Sequence, residues 1–146
     1  MITVETKTFH AHLERFAVKA KGRMEALARE FCSDLAEEVV RETPVITGFL
    51  RNSWHASINA APAHAGQDIT AATGKGDVAR VVMTGNGPAV ANSIKLGDVF
   101  YFTNGASYAV FVEYGTSKMA PRSFVRRTVA RAPQIAEAAA HRIGGN

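Results

Sequence analysis

A chain of 146 residues, 47% apolar and 21% charged, closes one compact domain around a proper core and is too short for two, so 1–146 is expected to be a single domain. One cysteine, Cys32, excludes an intrachain disulfide framework and a multi-cysteine zinc site, and the net charge of +4 leaves both nucleic acid and acidic protein open as partners. No apolar run reaches the roughly 20 residues of a membrane-spanning helix, and the start Met-Ile-Thr-Val-Glu lacks the parts of a signal peptide, so synthesis in a reducing cytosol is expected.

Phe9, Leu13, Phe16, Ala20, Met24, Leu27, Phe31, Leu35 and Val39 recur at spacings of three and four, one apolar stripe on a helix over 8–42. Cys32 falls beside Phe31 and reads as a small buried hydrophobe. Gly22 weakens the middle of this helix, and Pro44 stops it by disfavouring helical geometry at Thr43. Such a helix is about 50 Å long, more than a globule of this size covers, so part of the stripe is expected to meet another subunit. Thr47-Gly48 turns the chain. Leu50, Trp54, Ala56 and Ile58 then alternate with Arg51, Ser53, His55, Ser57 and Asn59 as a half-buried strand, with Asn52 out of pattern.

Residues 60–77 are small, polar and glycine-rich, a long flexible loop. A second strand is expected over 78–84, a short helix over 89–96 with Pro88 in its first turn, and a third strand over 99–103 turned by Asn104-Gly105. A further short helix covers 107–114, and the last runs from about 121–123 to 142, kinked or split at Pro133. The fold class is α+β: a small antiparallel sheet of about three strands packed against a long N-terminal and a C-terminal helix.

Catalytic chemistry finds no footing. Thr73-Gly-Lys-Gly-Asp77 lacks the Gly-x4-Gly-Lys-Ser/Thr frame of a phosphate loop. His10 and His12 point about 200° apart on a helix, so they share no metal, and the other histidines have no ligand spacing. Ser53 and His55 have no acidic orienter and no nucleophile elbow. No catalytic, cofactor-binding or metal residue is assigned.

The densest stretch is Tyr108-Ala-Val-Phe-Val-Glu-Tyr-Gly-Thr-Ser-Lys-Met-Ala-Pro-Arg122. It crowds aromatic and branched residues around one carboxylate, Glu113, breaks at Gly115, turns through Pro121 and feeds a helix rich in arginine. Glu113 and Arg51 are charges in apolar surroundings, and each needs a partner or an exit to water. Either they pair with each other, or both reach solvent. The basic character belongs to 115–146, where Lys118, Arg122, Arg126, Arg127, Arg131 and Arg142 face Glu137 alone; residues 1–114 carry 11 Lys+Arg against 12 Asp+Glu. Arg122, Arg126, Arg127 and Arg131 form two ridges that can grip phosphates or carboxylates, or form a solvated face. With no groove-reading motif beside them, contact with DNA would be electrostatic and blind to sequence.

The order of these elements, with Thr43-Pro-Val-Ile-Thr-Gly-Phe-Leu-Arg-Asn-Ser53, Gly97-Asp-Val-Phe-Tyr-Phe-Thr-Asn104 and the stretch from Tyr108 to Pro121, resembles the neck and tail-completion proteins of tailed phages, the group that includes the minor tail protein Z of phage lambda. The resemblance spans roughly 20–140, and departs from the usual pattern in the loop and at Pro133. It implies a structural, non-enzymatic virion component, assembled in the host cytoplasm as a ring of about six copies around the DNA channel at the head–tail junction or upper tail. Tail terminator, tail tube or head connector proteins would be its neighbours. In that setting Thr47, Gly48, Leu50, Arg51, Tyr108, Glu113, Gly115 and Pro121 fix the core. The long helix and the loop offer subunit contacts, and the basic arm of Lys118, Arg122, Arg126, Arg127 and Arg131 faces DNA or an acidic ring. A terminator-type ring protein and a stand-alone, sequence-nonspecific DNA-binding protein are the other readings.

Overall fold

The computed structural model describes residues 6–45, 48–61 and 86–145. The expected long helix is present as α1, Thr6–Glu42, unbroken at Gly22. After it come α2 (Phe49–Asn52), β1 (Trp54–Ile58), α3 (Gly87–Ala91), β2 (Phe100–Asn104), α4 (Ala109–Tyr114), α5 (Phe124–Ala130) and α6 (Ala132–Gly144). The class is α+β, mostly helical, and the described residues hold two antiparallel strands in register from Trp54 opposite Asn104 to Ile58 opposite Phe100. The strand expected over 78–84, nearly all of the 60–77 loop, and Thr47 lie outside the described residues.

The first strand starts later than its alternation predicts. Gly48 has φ 88°, and backbone N–H groups of Asn52 and Ser53 donate to Gly48 and Phe49 oxygens at 3.0 Å each, winding 49–52 into one helical turn. Asn52, out of pattern in a strand, belongs to that turn. Leu50 and Arg51 are therefore helical residues. The helix expected over 89–96 also ends early, because Ser93 and Ile94 donate to the carbonyls three residues back and tighten the chain into turns. Pro133 splits the last helix as expected: α5 stops at Ala130, Arg131 caps it, and α6 opens with the proline in its first turn.

The core gathers on the C-terminal half of α1. Val39, Val40, Leu50, Trp54, Ala106 and Phe124 are buried together, and Phe49, Phe102, Ala109, Val112 and Val125 pack around them. Trp54 stacks on Phe102 at 4.8 Å between centroids and meets Phe124 edge-on. Its indole N–H donates to Thr43 Oγ1, whose hydroxyl donates to the Val39 carbonyl, so the end of α1 and the start of the sheet share one buried chain of hydrogen bonds. On the outer edge of β1, the Asn86 side chain exchanges two hydrogen bonds with the Ala56 backbone and satisfies groups that a neighbouring strand would otherwise take. Cys32 is half-buried, and burial pushes its thiol pKa up, which keeps it protonated and unreactive.

Close helix packing sets one steric limit. A methyl group at Gly87 would lie 2.7 Å from Ala36 Cβ, where α3 crosses α1. Gly87→Ala is expected to destabilise the fold by about 1–3 kcal/mol, measured as a lower urea midpoint at unchanged slope.

Candidate interaction surface

The carboxylate of Glu113 decides how the corner is built. It is 5% exposed, at the last turn of α4, and it points at the first turn of α5. Glu113 Oε2 accepts the Val125 backbone N–H at 2.9 Å, and Oε1 accepts the backbone N–H and the Nε–H of Arg126, each at 3.1 Å. Val125 and Arg126 are the second and third residues of α5, whose amides have no partner within the helix. Ser123, the N-cap residue, makes no capping bond to them. Glu113 thus caps α5 from another element, and its negative charge lies at the positive end of the helix. The Arg126 guanidinium completes the arrangement: it reaches Ser123 Oγ and the Glu113 carbonyl, and lies over the Tyr114 ring at 4.7 Å.

Gly115 makes the corner sterically unique. Its φ is 79°, and a Cβ there would come within 2.8 Å of two backbone atoms, Met119 O and Pro121 N. The 116–119 turn closes on itself, and the Arg122 and Ser123 amides donate to the Val112 and Glu113 carbonyls. Lys118 is exposed on that turn, and the side chain of Pro121 is exposed beside it.

Arg51 does not pair with Glu113. Its Nη2 donates to the carbonyls of Arg41 at 3.1 Å and Thr43 at 2.8 Å, satisfying acceptors left open at the C-terminus of α1. A cation is favoured at that end of a helix, as an anion is at the start of α5. Burial draws the Arg51 guanidinium below its ordinary value without neutralising it. The two charges solve two different helix ends. Tyr108, stacked on Phe49 at 6.1 Å, joins the corner to α2, and an apolar groove runs between them, lined by Pro44, Val45, Val112, Met119 and Arg122.

The arginine-rich segment is not a free basic arm. Arg127 pairs with Glu42 at 2.9 Å, and Arg131 reaches both Glu38 and Glu42. Arg142 Nε meets Glu30 at 2.8 Å and its Nη2 meets Asp34; these hydrogen bonds, Asp34 first, push its pKa above the ordinary value. Together the pairs fasten α5 and α6 antiparallel along the acidic half of α1. Exposed pairs of this kind are worth about 0–1 kcal/mol each. Their weight here is in orientation and in cancelling charge. Of the five cations expected to meet DNA or an acidic ring, Arg126, Arg127 and Arg131 already hold carboxylates, whereas Lys118 and Arg122 hold none among the described residues.

A row of exposed apolar side chains lies at the other end of α1. The last turn of α6 sits beside Arg23, Met24 and Leu27, so residues 6–22 project about 25 Å beyond it. On this projection Phe9 is 61% exposed, Leu13 51% and Phe16 71%. The stripe that packs the core farther along the helix is exposed here among the described residues.

The corner yields a direct test. Glu113→Ala is expected to cost about 2–4 kcal/mol in urea unfolding, because it leaves two helix amides and a guanidinium without their acceptor. Double-mutant cycles should show coupling of about 1 kcal/mol with Arg126→Ala and none with Arg51→Ala. Gly115→Ala should be at least as damaging as Glu113→Ala.

The described residues contain no group of three or more His, Cys, Asp or Glu placed to hold a metal ion, and no helix long and apolar enough to cross a membrane. No curated protein and no solved structure matches the chain. The model of one family does, that described as "Bacteriophage HK97-gp10, putative tail-component", over residues 6–115. The match takes in α1, the Gly48–Arg51 turn, both strands and the corner up to Gly115, and the chain therefore belongs to this phage tail-component family.

Proposed function

We propose that this protein is a structural, non-enzymatic subunit of a tailed-phage virion that forms a ring of about six copies at the head–tail junction or upper tail end, in a completion or joining role. The observation that carries the reading is the stripe along the first half of α1, with Phe9, Leu13 and Phe16 on the projecting part and Met24 at its base each more than half exposed. A row of large apolar side chains on a helix that extends past its own body is an interaction surface. Burying these four against a neighbour contributes on the order of 5 kcal/mol.

A ring needs two different patches, because a head-to-tail contact joins unlike surfaces. The stripe of α1 is one. Val110, Phe111 and Tyr114, exposed on the outer side of the corner near the opposite end of α1, are the other. Tail terminator, tail tube or head connector proteins would stack above and below, and assembly would take place in the host cytoplasm. A terminator-type ring would use the same patches. The stand-alone DNA-binding reading rested on the basic C-terminal segment, and the ion pairs along α1 weaken that support.

Light scattering of the purified full chain should give a mass several times the protomer's 15.6 kDa. Leu13→Glu with Phe16→Glu should reduce it to the protomer mass and leave a folded protomer with a cooperative unfolding transition, its midpoint lowered only by the loss of the ring, because both side chains lie on the projecting part of α1. A parent protein that stays monomeric at tens of micromolar and is missing from purified virions would refute the ring.

A further inference from the structure

The sign of α1 changes along its length. Residues 6–24 contain five Lys+Arg and one acid, Glu14, whereas residues 25–42 contain six acids and two arginines. The acidic half takes up Arg127, Arg131 and Arg142. The basic half keeps its charge. Arg15, Lys19 and Arg23 are all exposed, and none has a carboxylate partner among the described residues.

These three recur every four residues, so they line one ridge with about 6 Å between steps. A duplex carries one phosphate per 3.4 Å of helix axis on each strand, and because the strand winds around that axis, successive phosphates lie about 6–7 Å apart along it, close to the step of the ridge. Successive residues turn by about 100°, which places the ridge roughly 90° around the helix from the Phe9–Leu13–Phe16 stripe and Glu14 well away from it. In a ring, contacts with neighbours are tangential and the lumen is radial. A helix that turns its apolar stripe to a neighbour and runs along the channel then turns this ridge inward or outward, away from the interface.

We infer that Arg15, Lys19 and Arg23 form the DNA-facing surface of the assembly, binding the phosphate backbone of a duplex without reading its bases; the inference rests on the ring reading above. An even row of charges on a straight rod suits a polymer of evenly spaced charge. It carries no buried cation or paired fork of the kind that selects one acidic protein surface. Arg127, Arg131 and Arg142, neutralised by α1, hold the body together instead.

The test uses the full chain and a labelled random-sequence duplex of about 30 base pairs, followed by fluorescence anisotropy. Three phosphate contacts per copy predict a weakening of about 40-fold for each copy in contact between 50 mM and 200 mM salt. Arg15→Gln, Lys19→Gln and Arg23→Gln combined should flatten the salt slope by about three per bound copy and leave the light-scattering mass unchanged. Lys118→Gln with Arg122→Gln should retain affinity within about twofold. Absence of duplex binding by an intact ring, unchanged binding by the triple variant, or tighter binding of poly-L-glutamate than of the duplex would each overturn the inference and leave the ring standing. Loss of the ring in the parent protein would instead remove the function it rests on.

Discussion

The Glu113 carboxylate is the constraint on which the C-terminal half of the chain depends. It is a buried anion that accepts three N–H donors from the first turn of a helix it does not belong to. An ionised carboxylate out of water is tolerable only when donors surround it, and here the donors are amides that would themselves be unsatisfied. The arrangement fixes the direction of α5 relative to α4. Gly115 enforces the same corner sterically, since its left-handed backbone and the Met119 carbonyl leave no room for a side chain. With α5 set, Arg127 and Arg131 fall opposite Glu42 and Glu38, and α6 runs back along α1 to Arg142 and its carboxylates.

At the other helix end the signs are reversed. Arg51 brings a cation to the carbonyls that close α1, and Thr43 ties that end to Trp54. One anion starts a helix and one cation ends another, and the aromatic core lies between them. The compact half of the molecule is therefore defined by helix termini as much as by apolar burial. The projecting part of α1 exposes Phe9, Leu13 and Phe16 among the described residues, and its stability depends on what it meets.

Much of this was legible in the chain. The stripe of threes and fours foretold α1 nearly to the residue, and Pro133 foretold the break between α5 and α6. That Arg51 and Glu113 each required a partner followed from their apolar neighbours. Which partner did not follow, because the acceptors and donors are backbone groups exposed by helix ends whose positions exist only in the fold. The strand start was misjudged for a related reason: alternation from Leu50 onward is indifferent to the positive φ at Gly48 that winds 49–52 into a turn. Charge misled most. Summing over 1–114 gave near neutrality and hid a helix basic at one end and acidic at the other, and Arg127, Arg131 and Arg142 looked unpaired because their carboxylates lie far earlier in the sequence, on α1.

These features describe a phage tail component whose body is closed by its own helix-end contacts and ion pairs, and whose projecting helix carries an exposed apolar stripe. The central claim is that the chain is a structural ring subunit of the virion. It is tested most directly by quantitative mass spectrometry of purified virions, with the protein located by gold labelling in electron micrographs. The account predicts about six copies per particle, all at the head–tail junction or upper tail end. Absence from particles, or label scattered along the tail or over the capsid, would contradict it.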